Sequence, residues 1–233
     1  MSKKDLERIL VMDANLLYGF SGFDLTYEVV EAGDCVLDKV PVLHGVSSKD
    51  KDFTWFEECV KRAYFMPRGE VEIDPNYKQL IPYIIIRAND LIFTYERAGS
   101  EHRLTGNYSI GIGGHTNVED LSYTGLKSIL QNSATRELSE ELYFGESVSY
   151  STDLRIKLGL LRPHAFLYAG NSESFVNYVH FGVVYVINLT LDDIENVVLK
   201  EEGKKLDWMT KSELWSVSDR LEEWSRLVLD KCL

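Results

Sequence analysis

The sequence predicts an α/β fold of the α+β kind, a mixed β-sheet covered by helices, and three observations predict it. Apolar runs of strand length recur along the chain between segments whose apolar residues fall three and four apart. The two kinds alternate without the regular strand–helix–strand rhythm of a wholly parallel sheet. With 233 residues, 45% of them hydrophobic, the chain can bury one large core, or one core with a substantial extension.

Residues 1–74 read as an N-terminal α/β extension packed on the core, and 75–233 as the main domain. In the extension, 8–12 and 27–30 have the composition of short strands and 45–52 is a polar loop. Residues 55–64 form an amphipathic helix with Phe56, Cys59, Val60 and Ala63 on one face. In the main domain, 80–87 and 91–95 flank the turn Ala88-Asn89-Asp90 and read as a hairpin. A strand over 108–113 ends in a glycine cluster. Residues 126–142 carry Leu126, Ile129, Leu130, Ala134, Leu138 and Leu142 on one helical face. Strands follow at 154–161, 178–189 and 206–209. Thr210 and Glu213 then form a capping box, and 218–229 is a closing amphipathic helix.

With 25 basic and 37 acidic residues the net charge is −12, which argues against a general binder of nucleic acid or anionic membrane, since such partners need a positive field. A local basic pocket for a small phosphate remains compatible with it. Cys35, Cys59 and Cys232 are odd in number and widely spaced, which points to a reducing compartment, no structural zinc, and thiols packed as small hydrophobes. The opening MSKKDLERIL turns charged again too soon for a signal peptide, and the most apolar stretches, 80–86 and 181–189, are shorter than a membrane span. A cytoplasmic location is the expectation.

The segment that carries chemistry is Arg136-Glu137-Leu138-Ser139-Glu140-Glu141. Helical positions i, i+3 and i+4 share a face, so Glu137, Glu140 and Glu141 form a carboxylate cluster while Leu138 and Leu142 turn inward. Three like charges at that spacing call for a counter-charge, and hard divalent cations such as Mg²⁺ or Mn²⁺ take oxygen ligands of this kind. Arg136, four residues before Glu140, can hold a carboxylate in a fixed orientation. Two adjacent glutamates alone would be a solvated helix face; the whole string is about a one-in-a-thousand accident in a chain of this size.

The string RELSEEL resembles the core of the Nudix box, whose pattern is G-x5-E-x7-R-E-U-x-E-E-x-G-U with U apolar, and Gly113-Gly114 resembles the glycine pair before it. Lys78-Gln79-Leu-Ile-Pro-Tyr83, Tyr95-Glu-Arg97, Arg103-Leu and Ser109-Ile-Gly-Ile-Gly-Gly-His115 further resemble a bacterial and phage subgroup of predicted phosphoesterases with a GIGGH element and a lengthened box loop. The resemblance runs from about residue 68 to 214. It implies a Nudix-like α/β/α sandwich, and a metal-dependent hydrolase cutting the phosphoanhydride bond of a small nucleotide-like diphosphate. By the same resemblance the metal is held by Glu137, Glu140, Glu141 and the carbonyl of Gly113 or Gly114, with Arg136 orienting the glutamates. Three departures stand out. Gly114 lies 22 positions before Arg136 instead of 14; Ser128 stands where the early glutamate belongs, with Glu119 or Asp120 as substitutes; and Tyr143 replaces the glycine after Glu-Glu.

The general base is left open among Glu140, Glu141, Glu201 and Glu202, the last two preceding Trp208 as a late-loop glutamate does in many Nudix enzymes. Arg97, Arg103 and Lys78 are candidates for holding phosphates, and His115 for touching substrate or metal. His164 and His180, in apolar surroundings, read as core residues. Substrate choice is assigned to loops such as 118–127 and 163–177. A non-catalytic nucleotide sensor on the same fold is the rival reading. An isomerase of isopentenyl diphosphate would need a core cysteine that neither Cys35 nor Cys59 matches. Homodimerisation is common in the family, while nucleic-acid and membrane partners are not expected.

Overall fold

The computed structural model describes residues 4–32, 35–97, 106–121, 126–144, 162–170, 175–200 and 206–233. In chain order its strands are β1 (Arg8–Asp13), β2 (Asp24–Ala32), β3 (Cys35–Ser47), β4 (Tyr64–Pro67), β5 (Tyr77–Ala88), β6 (Leu91–Glu96), β7 (Tyr108–Ser109), β8 (Gly111–Gly113), β9 (Leu142–Phe144), β10 (Ala165–Ala169), β11 (His180–Leu189), β12 (Val197–Leu199) and β13 (Leu206–Thr210). The helices are α1 (Asp50–Val60), α2 (Arg68–Val71), α3 (Leu126–Glu141), α4 (Phe175–Val179), α5 (Lys211–Ser216) and α6 (Glu223–Lys231).

Among the described residues, eleven strands form one mixed sheet whose main path runs β13-β6-β5-β11-β10-β3-β2. Its centre is β5, parallel to β11 from His180↔Gln79 to Leu189↔Ala88 and antiparallel to β1, β6 and β8. A strand so placed is covered on both faces, which is why 80–86 read as an unbroken apolar run. Its even residues, Leu80, Ile84 and Ile86, pack with Leu130, Ala134 and Leu138 of α3 and with Phe166 and Phe181. Its odd residues, Ile81, Tyr83 and Ile85, pack with Leu221, Trp224, Val228 and Leu229 of the closing segment. Helices therefore lie on both faces, giving the three-layer arrangement the sequence predicts.

The N-terminal strands belong to this same sheet, β1 through β5 and β3 through β10, and residue 74 lies in the turn between α2 and β5. Several local expectations change. The first helix begins at Asp50, inside the expected loop, because the Asp52 carboxylate is drawn in to accept bonds from Ser21 N (2.9 Å), Gly22 N (2.9 Å) and the Ser47 hydroxyl. It ends at Val60, and Tyr64 starts a strand. The strand expected over 108–113 breaks at Ile110, pairing first with β6 and then with β5. Tyr178 falls in α4, and the closing helix is split at Leu221-Glu222 between a short 3-10 turn and α6. β10 forms inside the expected loop 163–177, and β3 runs into the expected loop at 45–47; the two pair with each other, a long-range partnership that local periodicity does not carry. The strand expected at 154–161 lies outside the described residues. Among the described residues no helix is long and apolar enough to cross a membrane.

Candidate active site

The face of α3 predicted to be apolar is the buried one, with Ile129, Leu130, Ala134, Leu138 and Leu142 each at most 2% exposed. That fixes the helix rotation and turns Arg136 and Glu137 toward the loop after β8. Arg136 is the hub. Its Nε and Nη2 donate to the two oxygens of Asp120, each at 2.9 Å, in a bidentate fork. Nη1 donates to Glu137 at 2.7 Å and reaches Glu140 at 3.3 Å, and Nη2 also donates to the His115 carbonyl at 2.8 Å. One guanidinium thus ties the helix carboxylates to the loop 113–120. Burial opposes its charge, but the Asp120 and Glu137 carboxylates prevail and hold it above its ordinary pKa.

Asp120 is itself built in. It is 3% exposed, accepts from Asn117 N at 2.9 Å, and belongs to a capping box with Asn117 on a short 3-10 turn. Of the two substitutes for the missing early glutamate, Asp120 meets Arg136, while Glu119 is exposed. Glu137 lies against Gly114: a Cβ at that glycine would stand 2.3 Å from its carboxyl oxygens, so only glycine lets the carboxylate reach the loop backbone. Burial pushes the Glu137 carboxyl up to about 7, with the Arg136 charge pulling the other way.

Gly114 and His115 also line a cavity of about 260 Å³ with Arg68, Arg97, His180 and Trp224. Arg97 donates to Glu222 at 2.9 Å; Glu222 in turn accepts from Tyr83, Ser109 and Ser225, which locks the pair in place. His115 Nε2 stands 2.7 Å from Gln79 Oε1 and 3.2 Å from His180 Nε2. Burial, then His180 and Arg68, drive the His115 pKa well below its ordinary value, so the ring is neutral at neutral pH.

Of the residues singled out in the sequence, Arg136, Glu137, Glu140, Gly114, His115 and Arg97 are gathered around this loop and cavity. Three carboxylates do not converge: among the described residues, no group of three His, Cys, Asp or Glu is close enough to hold an ion. Arg136 supplies the counter-charge instead, and the Glu140 side chain is 57% exposed. Lys78 is elsewhere. It is 1% exposed, donates to the carbonyls of Pro75 (3.0 Å) and Tyr178 (2.9 Å), and lines a separate cavity with Tyr168 and Tyr178. Arg103, Glu201 and Glu202 lie outside the described residues. Lys200, the residue before that glutamate pair, is tied to the end of α3, its backbone N–H donating to Glu141 O at 2.9 Å and its side chain to Ser139 O.

Two histidine expectations are overturned. His164 is exposed at the entry to β10, its backbone N–H donating to Val184 O at 2.7 Å. His180, expected in the core, lines the cavity, because the strand's alternation turns it away from its buried neighbour Phe181. Glu222 was not singled out, and Gln79 only as part of a shared string with no role assigned; both are buried polar residues. The thiols behave as expected where described: Cys59 is buried and pushed up to about 12 by burial.

No protein-family model matches the chain. It is 35% identical over 193 residues to Protein YmaB of Bacillus subtilis (strain 168), an alignment covering 80% of this chain and 86% of that protein. Its structure resembles the crystal structure of Tm1382, a protein ascribed to the Nudix hydrolases, with a TM-score of 0.63 and 22% identity, covering 96% of this chain and 97% of that one.

Proposed function

The chain belongs to the family of the Bacillus subtilis Protein YmaB and has the Nudix fold, and from that premise we propose that it is a divalent-metal-dependent hydrolase cutting the phosphoanhydride bond of a nucleoside diphosphate-linked small molecule. One observation carries the reading. Arg136 binds Asp120, Glu137 and Glu140 together while Glu137 presses on Gly114 at the cavity wall, which is how a carboxylate helix is aimed at a phosphate-binding cleft.

The donor types, though not their present spacing, suit a hard cation: Glu137, Glu140 and Glu141, with the Gly114 carbonyl, are the ligands we assign to Mg²⁺ or Mn²⁺, and they would have to draw together to hold it. Such an ion would offset the charge that develops on the diphosphate and lower the pKa of an attacking water. The protein's own residues do the rest. Arg136 keeps Glu137 turned to the glycine loop, and the capped Asp120 keeps Arg136 in place. Arg97, anchored by Glu222, lines the cavity, where its guanidinium charge would meet phosphate oxygens. Glu140, Glu141, Glu201 and Glu202 are the candidates for taking the proton of the attacking water, the last pair following the Lys200 strap.

The test is to incubate the protein and a Glu140→Gln variant with a panel of nucleoside diphosphate-linked compounds and Mg²⁺, reading products by mass spectrometry. The expected result is chelator-sensitive cleavage of at least one compound, reduced about 100-fold or more in a variant that keeps its fold. Tight binding without turnover across the panel would overturn the hydrolase reading in favour of a nucleotide sensor.

A further inference from the structure

The N-terminal segment reaches the cavity through one side chain that the proposed hydrolysis has not yet used. Arg68 opens α2 directly after β4, and its backbone N–H donates to Glu7 O at 2.7 Å, which ties the start of this helix to the approach to β1. Its side chain lines the cavity together with Gly114 and His115. There Nε donates to Glu72 Oε1 at 2.6 Å and Nη1 to Glu7 Oε2 at 3.2 Å. These two bonds fix the plane of the guanidinium. Nη2, with two N–H groups of its own, is bound to neither carboxylate.

The balance of charge at this place is positive. The Arg68 side chain is 15% exposed, against 30% for Glu7 and 40% for Glu72, so water screens the two carboxylates more than the cation they hold. After burial and His180, the charges that weigh most on His115 are Arg68, Lys4 and Arg136, and all three are cations. The carboxylates that line the cavity are already engaged, Glu222 by Arg97 and Glu223 by Asn177 at 2.6 Å. In a chain of net charge −12, a neutral histidine and a glycine loop beside such cations are the setting for an anion.

We propose that Arg68 is a substrate-binding residue whose guanidinium holds a phosphate or diphosphate group of the ligand beside Gly114 and His115, with exposed Lys4 adding to the field, so that the N-terminal segment completes the cavity. Arginine suits the task because its planar fork can keep a carboxylate on one N–H and meet phosphate oxygens with another. Glu7 and Glu72 then act as anchors that aim the side chain, as Glu222 does for Arg97. The inference rests on reading the cavity as a phosphate site, but binding alone can test it, without turnover.

The full chain is titrated calorimetrically with inorganic pyrophosphate, in chelator so that no metal bridges the probe to α3. The expected result is saturation at one equivalent, with affinity about tenfold or more lower in Arg68→Gln, the loss of one charged hydrogen-bonded contact. Glu72→Gln removes an anchor but keeps the cation, and should bind within about twofold of wild type or tighter. Arg68→Lys, which keeps the charge without the fork, should fall between. No saturation in wild type, equal affinity in Arg68→Gln, or a loss in Glu72→Gln that matches Arg68→Gln would overturn the proposal, the last by showing that Arg68 is only a tie. Should Arg68→Gln fail to fold by circular dichroism, side-chain nitrogen NMR of wild type decides: an Arg68 guanidinium signal that shifts with pyrophosphate supports the subsite, and one that stays put overturns it. For any cleaved compound, KM should rise about tenfold in Arg68→Gln with kcat within about threefold. Arg68-dependent binding with no compound cleaved would sink the hydrolase reading and keep the subsite; cleavage with KM unmoved would do the reverse.

Discussion

Two enclosed cations, Arg136 and Lys78, sit in opposite company. Arg136 has carboxylates on three sides, Asp120 at 2.9 Å, Glu137 at 2.7 Å and Glu140 at 3.3 Å, and joins two elements around a cavity. Lys78, although almost fully buried, has no carboxylate in ion-pair contact among the described residues. Its ammonium donates to two carbonyls and lies 4.0 Å from the centroid of the Tyr178 ring and 5.4 Å from that of Tyr168. The contrast teaches how to tell a working cation from a structural one. The first has more negative partners than it can neutralise, and so keeps several groups aimed at one place. The second is satisfied by neutral dipoles and pins the turn before β5 to the end of α4.

The sharpest way to break the comparison is to remove each charge. Arg136→Ala leaves Asp120 buried without its cation, and the expected cost is about 3 kcal/mol in urea unfolding together with a loss of roughly 100-fold or more in turnover. Lys78→Met should leave turnover within about twofold. A Lys78 variant that loses activity as Arg136→Ala does, while staying folded, would return Lys78 to the substrate site and end the distinction.

The second difference concerns pH. Burial lowers the Lys78 pKa from 10.5 to about 8, with Asp74 only partly opposing it. The unfolded chain therefore holds more protons than the folded one between about pH 8 and 10.5, and in that window the lysine's contribution to stability rises with pH. Wild type should gain on Lys78→Met by up to about 3 kcal/mol across it, read as the gap between their unfolding free energies. Arg136, charged throughout, gives no such slope. A gap that stays flat would mean that Lys78 keeps its proton and is paired more strongly than its two carbonyls and two rings account for.

Much of this was legible in the residues, and the rest was hidden for a physical reason. The buried face of α3 follows from its 3.6-residue period, and the carboxylate string from its spacing, because both are local. The capping box at Thr210 and Glu213 was read for the same reason, and it is there, Glu213 N donating to the Thr210 hydroxyl. What failed was register. Lys78 shares a string with Gln79, but a strand sends successive side chains to opposite faces, so Gln79 meets His115 at the cavity wall and Lys78 lies on the far side. His180 looked like core because its neighbours are core; only its pairing with Gln79 across the parallel ladder reveals its setting. Asp120 could be named as a substitute acid, but its partner was out of reach, since the insertion between Gly114 and α3 erases the spacing that would have identified it.

Arg97 sharpens the comparison from between the two extremes. Like Arg136 it has a carboxylate, Glu222, but that carboxylate is also occupied by hydroxyls: Tyr83 at 3.0 Å, Ser109 at 2.5 Å and Ser225 at 3.1 Å all reach its Oε1. Burial and the Glu222 charge raise the Tyr83 pKa well above its ordinary value, so the phenol stays protonated as a donor at every working pH. Tyr83→Phe removes one of three donors and leaves the Arg97–Glu222 pair, so the expected loss is about 1 kcal/mol of stability, the net worth of one hydrogen bond. The KM for the cleaved diphosphate should move less than about twofold, because Arg97 keeps its anchor. A large rise in KM with stability unchanged would show that Arg97 depends on the whole hydroxyl network for its aim, which would place it with Arg136 as an organising cation.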